Sequence, residues 1–116
     1  MKVSTLLIVT DLREAKQFYA GVMGLIPTFE SDERLDLDAG GHEIHVFEGE
    51  KEAQPYQHSA EASSTLVFYI DDLEEKISEL EANGYQFIHR GENSFARYAA
   101  FYGPSGIVHE ISEMRT

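Results

Sequence analysis

The residues of this chain that could do chemistry are five histidines and a few carboxylates that fall among apolar residues. Glu110 stands out, because it lies between Val108 and Ser112 in a segment with the pattern of a buried strand. A buried charge without a partner is costly, so Glu110 needs a hydrogen-bond donor, a cation or a ligand beside it. The histidines can act as bases, hydrogen-bonding groups or metal ligands; they are His42, His45, His58, His89 and His109.

Composition and motifs exclude several other chemistries. The chain has no cysteine, which removes disulfides, thiolate nucleophiles and thiolate zinc sites. It also has no phosphate-binding glycine loop, no serine-nucleophile motif and no HExxH motif, so hydrolase and nucleotide-dependent functions have no support. The formal charge of −12 opposes binding to nucleic acid and to anionic membranes, neither of which we expect as a partner.

Length and hydropathy favour a single small domain over residues 1–116. The 116 residues are 42% apolar, which is enough for one packed core and too little for two independent ones. No apolar stretch approaches the ~20 residues of a membrane span. The N-terminus has only a short apolar run before a charged helix start, unlike a signal peptide, so we expect a cytoplasmic location.

Two segments of the chain repeat one pattern. A β-branched and aliphatic strand over 3–9 is followed by Asp11 and Glu14 at capping-box spacing, an apolar helical stripe, and Gly24 to end the helix. The strand over 65–70, the cap at Asp72, and Gly84 repeat this order, and both the strand start and the cap recur after 61 residues. The 61-residue repeat predicts an internal duplication with helices near 12–23 and 73–83. The apolar composition of both opening strands predicts that they are buried on two faces.

Three shorter runs with β character follow each helix, so each half is predicted to be βαβββ. The runs are approximately 26–31, 34–38 and 42–48 in the first half, and 85–90, 95–102 and 107–113 in the second. Module 1 therefore covers about 1–48, a polar linker 49–64, and module 2 about 65–116. The prediction is an α+β fold in which two mixed sheets form a cleft with the helices outside, the cleft being the natural ligand site.

Several stretches, taken in order, resemble the vicinal-oxygen-chelate superfamily, which contains glyoxalase I, bleomycin-resistance proteins and extradiol dioxygenases. "LLIVTDLREAKQFYAGVMGL" and "LVFYIDDLEEKISELEANGY" resemble its two module openings, and "FYGPSGIVHEISE" resembles its closing hairpin. The resemblance covers nearly the whole chain. One departure is visible, because Gly103 stands where the family usually has aspartate before Pro104.

The resemblance implies four positions for metal ligands in the cleft: Ser4, His45, Thr65 and Glu110. A transition metal needs about three or four imidazole or carboxylate donors, and a neutral hydroxyl is a weak one. Only His45 and Glu110 qualify, so we expect an incomplete metal site in which these two side chains form a pair or contact ligand. No cofactor is expected, and a divalent metal held by His45 and Glu110 is the alternative.

The alternation of side chains along a strand predicts which further residues face the cleft and which histidines do not. If His45 faces the cleft, Glu43 and Phe47 do so too, whereas His42 lies on the helix side or at the strand edge. His109 points away from Glu110 and packs against a helix; His42, His58 and His89 are structural or surface residues. The acidic run "ESDERLDLD" is predicted to be a solvated face. The predicted ligand-binding residues are Ser4, Leu6, Ile8, His45, Phe47, Thr65, Val67, Tyr69 and Glu110.

Three functions remain open on this sequence. The first is a metal-independent protein of the bleomycin-resistance type that binds a small, cationic organic molecule, which the acidic surface would attract. The second is a metal-dependent lyase, isomerase or dioxygenase of the glyoxalase class that uses His45 and Glu110. The third is a small scaffold with a vestigial cleft. The resemblance also implies a homodimer.

Overall fold

The computed structural model describes residues 1–49 and 65–115, so His58 and most of the predicted linker lie outside the described residues. The chain divides into two compact units, Met1–Gln54 and Pro55–Thr116, here called the N-terminal and C-terminal modules. In the described ranges, no helix is long and apolar enough to cross a membrane.

The N-terminal module is a four-stranded mixed sheet with one helical segment. Its elements are strand β1 (Thr5–Val9), helix α1 (Leu12–Lys16) continued by a π-helical turn (Gln17–Val22), and strands β2 (Ile26–Glu30), β3 (Arg34–Ala39) and β4 (His42–Glu48). The strand order is β1-β4-β3-β2, with β1 parallel to β4 and the other pairs antiparallel. The predicted βαβββ order is confirmed.

The C-terminal module has the same architecture. Its elements are strand β5 (Leu66–Tyr69), helix α2 (Leu73–Ala82), strands β6 (Gln86–Glu92) and β7 (Ala96–Tyr102), a 3-10 turn (Pro104–Gly106), and strand β8 (Val108–Met114). The strand order β5-β8-β7-β6 repeats that of the first sheet. Each predicted strand is present, with ends that differ by one or two residues.

The aspartate caps begin both helices as the sequence predicts. Asp11 accepts hydrogen bonds from the amides of Arg13 and Glu14, and Asp72 accepts one from the amide of Glu75. These bonds satisfy backbone donors that have no partner inside a helix. Each helix is followed by a glycine with positive φ, Gly24 at 76° and Gly84 at 90°, a conformation that side chains with a Cβ rarely adopt.

One face of each sheet packs against its helix and holds the core. In the N-terminal sheet this face carries Leu35, Leu37, Ile44 and Val46, which are at most 2% exposed. In the C-terminal sheet it carries Ala99, Phe101, His109 and Ile111, all fully buried. The helices contribute buried side chains to the same cores; these are Ala15, Phe18 and Tyr19 in the first module and Leu73, Ile77 and Leu80 in the second.

The opposite face of each sheet is open, which corrects one prediction. The sequence predicts that β1 and β5 are buried on both sides, yet Leu6 is 60% exposed, Ile8 55% and Tyr69 70%. The uninterrupted apolar runs therefore do not signal two covered faces. Only the alternate residues of these strands enter the core. Every second side chain lies on the exposed face of the sheet.

Candidate functional site

His45 lies at the centre of the open face of the N-terminal sheet. It is paired in register with Leu6 of β1 on one side and with Asp36 of β3 on the other. Its Nδ1 atom is 2.8 Å from Asp36 Oδ1, and its Nε2 atom is 3.5 Å from Glu43 Oε2. The ring is about a quarter exposed, with 23% of its side-chain surface accessible. His45 is thus fixed at one nitrogen and accessible from the open side.

Asp36 is the buried anchor of this arrangement. Its residue exposure is only 7%, and Arg34 approaches it through both Nε, at 2.9 Å from Oδ1, and a terminal nitrogen near Oδ2. This two-point contact with Arg34, assisted by the His45 hydrogen bond, lowers the pKa of the Asp36 carboxyl to about 2 against the opposing effect of burial. Asp36 is therefore a charged acceptor at neutral pH.

Arg34 is itself held in place by aromatic rings. Its guanidinium carbon lies 5.0 Å from the centre of the Phe29 ring and 5.7 Å from that of Phe47. Cations over aromatic faces are attracted by the ring quadrupole, and the flat guanidinium group suits such stacking. The stack and the carboxylate together restrict the orientation of Arg34, and through it that of Asp36.

Around this polar group the open face is apolar. Leu6 and Ile8 are more than half exposed beside His45 and Phe47, with which they pair in register. Ile26, at 62% exposure, and Phe29, at 50%, continue the surface on β2. An apolar surface with a few fixed polar atoms is the usual composition of a small-molecule site.

The open face of the C-terminal sheet carries Glu110 in different surroundings. Glu110 is half-buried and pairs in register with Val67 of β5 and Ala100 of β7, neither of which has a polar side chain. Within the described part of this module, no hydrogen bond or ion pair involves its carboxylate. Tyr69 and Tyr98 lie on the same face, each in register with Ser112.

The two hydroxyl positions offer little to a metal. The Thr65 hydroxyl donates to the carbonyl oxygen of Val108 at 2.7 Å, and Ser4 is an exposed residue before β1. Among residues 1–49 and 65–115, no group of three or more histidine and carboxylate side chains is arranged to hold an ion. Both positions supply neutral hydroxyls, which are weak donors to a transition metal.

The remaining histidines have separate environments. His42 Nε2 lies 2.8 Å from the Thr5 hydroxyl, and His89 is exposed with its ring 6.0 Å from that of Tyr98. His109 is fully buried on the helix-covered face, as predicted, and its ring contacts those of Phe68 and Phe101 edge-on. Burial lowers the pKa of His109 to about 4. That His45 and Glu110 lie within contact range of each other remains a prediction.

Sequence reasoning missed Arg34 and Asp36 as site residues. The acidic run that contains Asp36 is predicted to be a solvated face, and this is wrong at Asp36, whose carboxylate is covered by its two partners. A usable signal was present in the sequence. Gly40 and Gly41, both with positive φ, form a two-residue turn between β3 and β4, and such a turn places residue 36 opposite residue 45.

The chain thus contains two βαβββ modules, and the sheet of the N-terminal module carries a fixed imidazole on an exposed, partly apolar face. The family model described as the Glyoxalase/Bleomycin resistance protein/Dioxygenase superfamily matches residues 3–111. The chain belongs to this superfamily. None of the curated proteins compared with the chain matches it in sequence.

Solved structures share the fold at low sequence identity. A glyoxalase family protein from Enterococcus faecalis is 22% identical with a TM-score of 0.75, covering 95% of this chain and 94% of its own. Lactoylglutathione lyase from Agrobacterium tumefaciens is 21% identical with a TM-score of 0.71, covering 97% and 92%. The fosfomycin resistance protein FosX from Listeria monocytogenes, in a complex with Mn(II) and sulfate, is 17% identical with a TM-score of 0.76, covering 96% and 88%. At these identities the likeness shows the fold alone.

Proposed function

We propose that the protein binds a small organic molecule through the open faces of its sheets, without a complete metal site. The observation that carries this proposal is the partly exposed His45 imidazole, held by Asp36 and bordered by the exposed side chains of Leu6 and Ile8. A hydrogen-bonding group with a fixed orientation beside an apolar surface is suited to recognise one end of a ligand and to pack against the rest.

The ligand is proposed to be cationic. Twenty-one acidic side chains against nine basic ones produce a negative field that raises the local concentration of cations. On the N-terminal open face, Asp36, Asp38 and Glu43 outnumber the cations Lys2 and Arg34. We also propose that His45 and Glu110 contact the same ligand molecule.

The first experiment identifies what the protein carries. Protein purified from its natural host without chelator is denatured, and the released small molecules are analysed by mass spectrometry next to a His45→Ala preparation. We expect a compound that is enriched with the wild type and depleted with the variant. Equal yields from both preparations would contradict a site at His45.

The competing function is the metal-dependent lyase, isomerase or dioxygenase. It is supported by the presence of His45 and Glu110 at two of the four ligand positions that the family resemblance implies. Elemental analysis and calorimetric titration with nickel, zinc and manganese separate the two functions. We expect no stoichiometric metal. Tight binding that is lost in both His45→Ala and Glu110→Ala would favour the enzyme instead.

The homodimer and the cytoplasmic location also remain proposals. Light scattering across micromolar concentrations tests the first of them. A monomer mass throughout that range would count against the dimer.

A further inference from the structure

Strand β2 contains a β-bulge that decides on which side of the sheet Phe29 lies. The register of β2 on β3 shifts between Pro27 and Phe29, which leaves Thr28 as the extra residue. Phe29 is therefore opposite Asp36, whereas an unbroken strand would place it opposite Leu35 on the helix-covered side. The bulge thus turns the Phe29 side chain onto the open face, where the residue is half exposed.

Strand β6 of the C-terminal module contains a bulge at the corresponding place. The register of β6 on β7 shifts between Phe87 and His89, and His89 pairs with Ala100. Ala100 lies in β7 where Asp36 lies in β3. An unbroken strand would again place the ring of His89 on the helix-covered side. Both edge strands therefore direct a ring to the open face by the same irregularity, and bulges often re-aim a side chain in this way next to a functional site.

Each of these rings lies against a side chain of the neighbouring strand. The guanidinium carbon of Arg34 is 5.0 Å from the centre of the Phe29 ring, and Arg34 is fixed by its two contacts with Asp36. Tyr98 occupies the position of Arg34 in the other module, and its ring is 6.0 Å from that of His89. The orientation of the Phe29 ring is thus restricted before a ligand binds, so less side-chain entropy is lost on binding.

We infer that Phe29 is a specificity-determining residue of the proposed site, and that it stacks on a flat aromatic ring of the ligand. The inference rests on the proposed function and deepens it, since it names the part of the ligand that the apolar surface recognises. The charge of Arg34 opposes a second cation on the other face of the Phe29 ring, so the ligand presents an uncharged ring there. Stacked aromatic rings gain energy beyond their buried area, whereas a saturated group gains the burial alone.

Two amines that differ only in the saturation of one ring test this inference. Benzylamine and cyclohexylmethylamine have the same carbon skeleton and the same charge, and NMR titration of the ¹⁵N-labelled protein gives both affinities. We expect benzylamine to bind the wild type about fivefold more tightly and to shift the amide resonances of residues 28–30. In Phe29→Leu, which keeps an apolar side chain, the two affinities become equal. The control Phe95→Leu, which removes an exposed phenylalanine of the C-terminal module, retains the wild-type ratio.

The fold of each variant is checked in the same spectra, because Phe29→Leu should leave the amide resonances outside residues 26–36 unchanged. Equal affinities of the two amines for the wild type, or a ratio that is unchanged in Phe29→Leu, would overturn the stacking role. A co-purified compound without an aromatic ring, or no saturable binding of either amine, would also overturn it. If both amines bind equally and both are weakened by His45→Ala, the proposed function stands and only the aromatic assignment fails. The proposed function itself fails if the denatured wild-type protein releases no bound molecule.

Discussion

The last strands of the two modules, β4 and β8, place different chemistry on the same scaffold. In β4 the open-face position holds His45 and the neighbouring core position holds Ile44; in β8 these positions hold Glu110 and His109. Ile44 and His109 are both buried, at 2% and 0% exposure. One histidine is therefore held by a carboxylate on an open surface, and the other replaces an aliphatic residue inside the core.

This difference shows which features the fold needs and which it only tolerates. The helix-covered positions need volume, and both isoleucine and histidine supply it. The open positions accept an aspartate, an alanine, a histidine or a glutamate without loss of the sheet. Substitutions that exchange residues between the two modules are thus the most direct way to test the comparison.

The largest effect is expected for His109→Ile, which gives β8 the core residue of β4. Burial lowers the pKa of His109 from 6.5 to about 4, so the unfolded chain takes up a proton at a higher pH than the folded protein. As pH falls from 6.5 to 4, we expect the free energy of unfolding to drop by about 3 kcal/mol on account of this residue. The His109→Ile variant has no imidazole at this position, so its unfolding free energy should lack this pH-dependent loss. Urea unfolding of both proteins across that pH range measures the difference.

The exposed His89 provides the control for that experiment. His89→Gln is expected to retain the wild-type pH dependence, because it removes an exposed imidazole and leaves the buried ring of His109 in place. If His109→Ile loses stability on acidification as steeply as the wild type does, the buried imidazole is not the source of the slope.

The second effect concerns the open-face arrangement of β3. Asp36→Ala leaves the Arg34 guanidinium and His45 without their shared acceptor and is expected to cost about 1–3 kcal/mol of unfolding free energy. The double substitution Arg34→Tyr with Asp36→Ala, which copies Tyr98 and Ala100, should recover most of that loss. Denaturant unfolding of both variants tests this. A double variant no more stable than Asp36→Ala would show that the two modules are not interchangeable at these positions.

The features of the fold and of the site that can be predicted from the sequence are those that depend on residues close together in the chain. The caps at Asp11 and Asp72, the helix ends at Gly24 and Gly84, and the βαβββ order of elements follow from local spacing, and the sequence predicts them correctly. The burial of Asp36 arises from a cross-strand partner nine residues away, and the composition of the acidic run contains no sign of it.

The faces of β1 and β5 show a second limit. Leu6, Ile8 and Tyr69 are apolar, and an apolar run alone cannot distinguish a covered position from an exposed one; strand alternation is needed to assign them to the predicted ligand-binding residues. The two-glycine turn at 40–41 could have fixed the register of β3 on β4, and hence the pairing of Asp36 with His45. Turn geometry therefore contained more information about the site than residue composition did.

A third effect is expected at the turn before β8, where the chain departs from the family pattern. A Cβ at Gly103 would lie 2.7 Å from His109 Cδ2, so the missing side chain leaves room for the buried ring. Gly103→Ala should cost about 1–3 kcal/mol through overpacking. In the His109→Ala background the same substitution should cost much less, and a double-mutant cycle of unfolding free energies measures this coupling. Additive costs would mean that the ring does not limit position 103.

The smallest effect on stability is expected for Glu110→Gln. The Glu110 carboxylate is half-buried beside Val67 and Ala100, so replacing it by an amide of the same shape removes no bond within the described module. We expect a change in unfolding free energy within about 0.5 kcal/mol.

The Glu110→Gln variant should also weaken binding of the natural ligand, because a carboxylate on an open face between apolar neighbours is available to a cationic group. Ligand affinity measured for Glu110→Gln, His45→Gln and the double variant then tests whether the two side chains serve one molecule. Non-additive losses would support a shared ligand, whereas additive losses would assign His45 and Glu110 to independent roles.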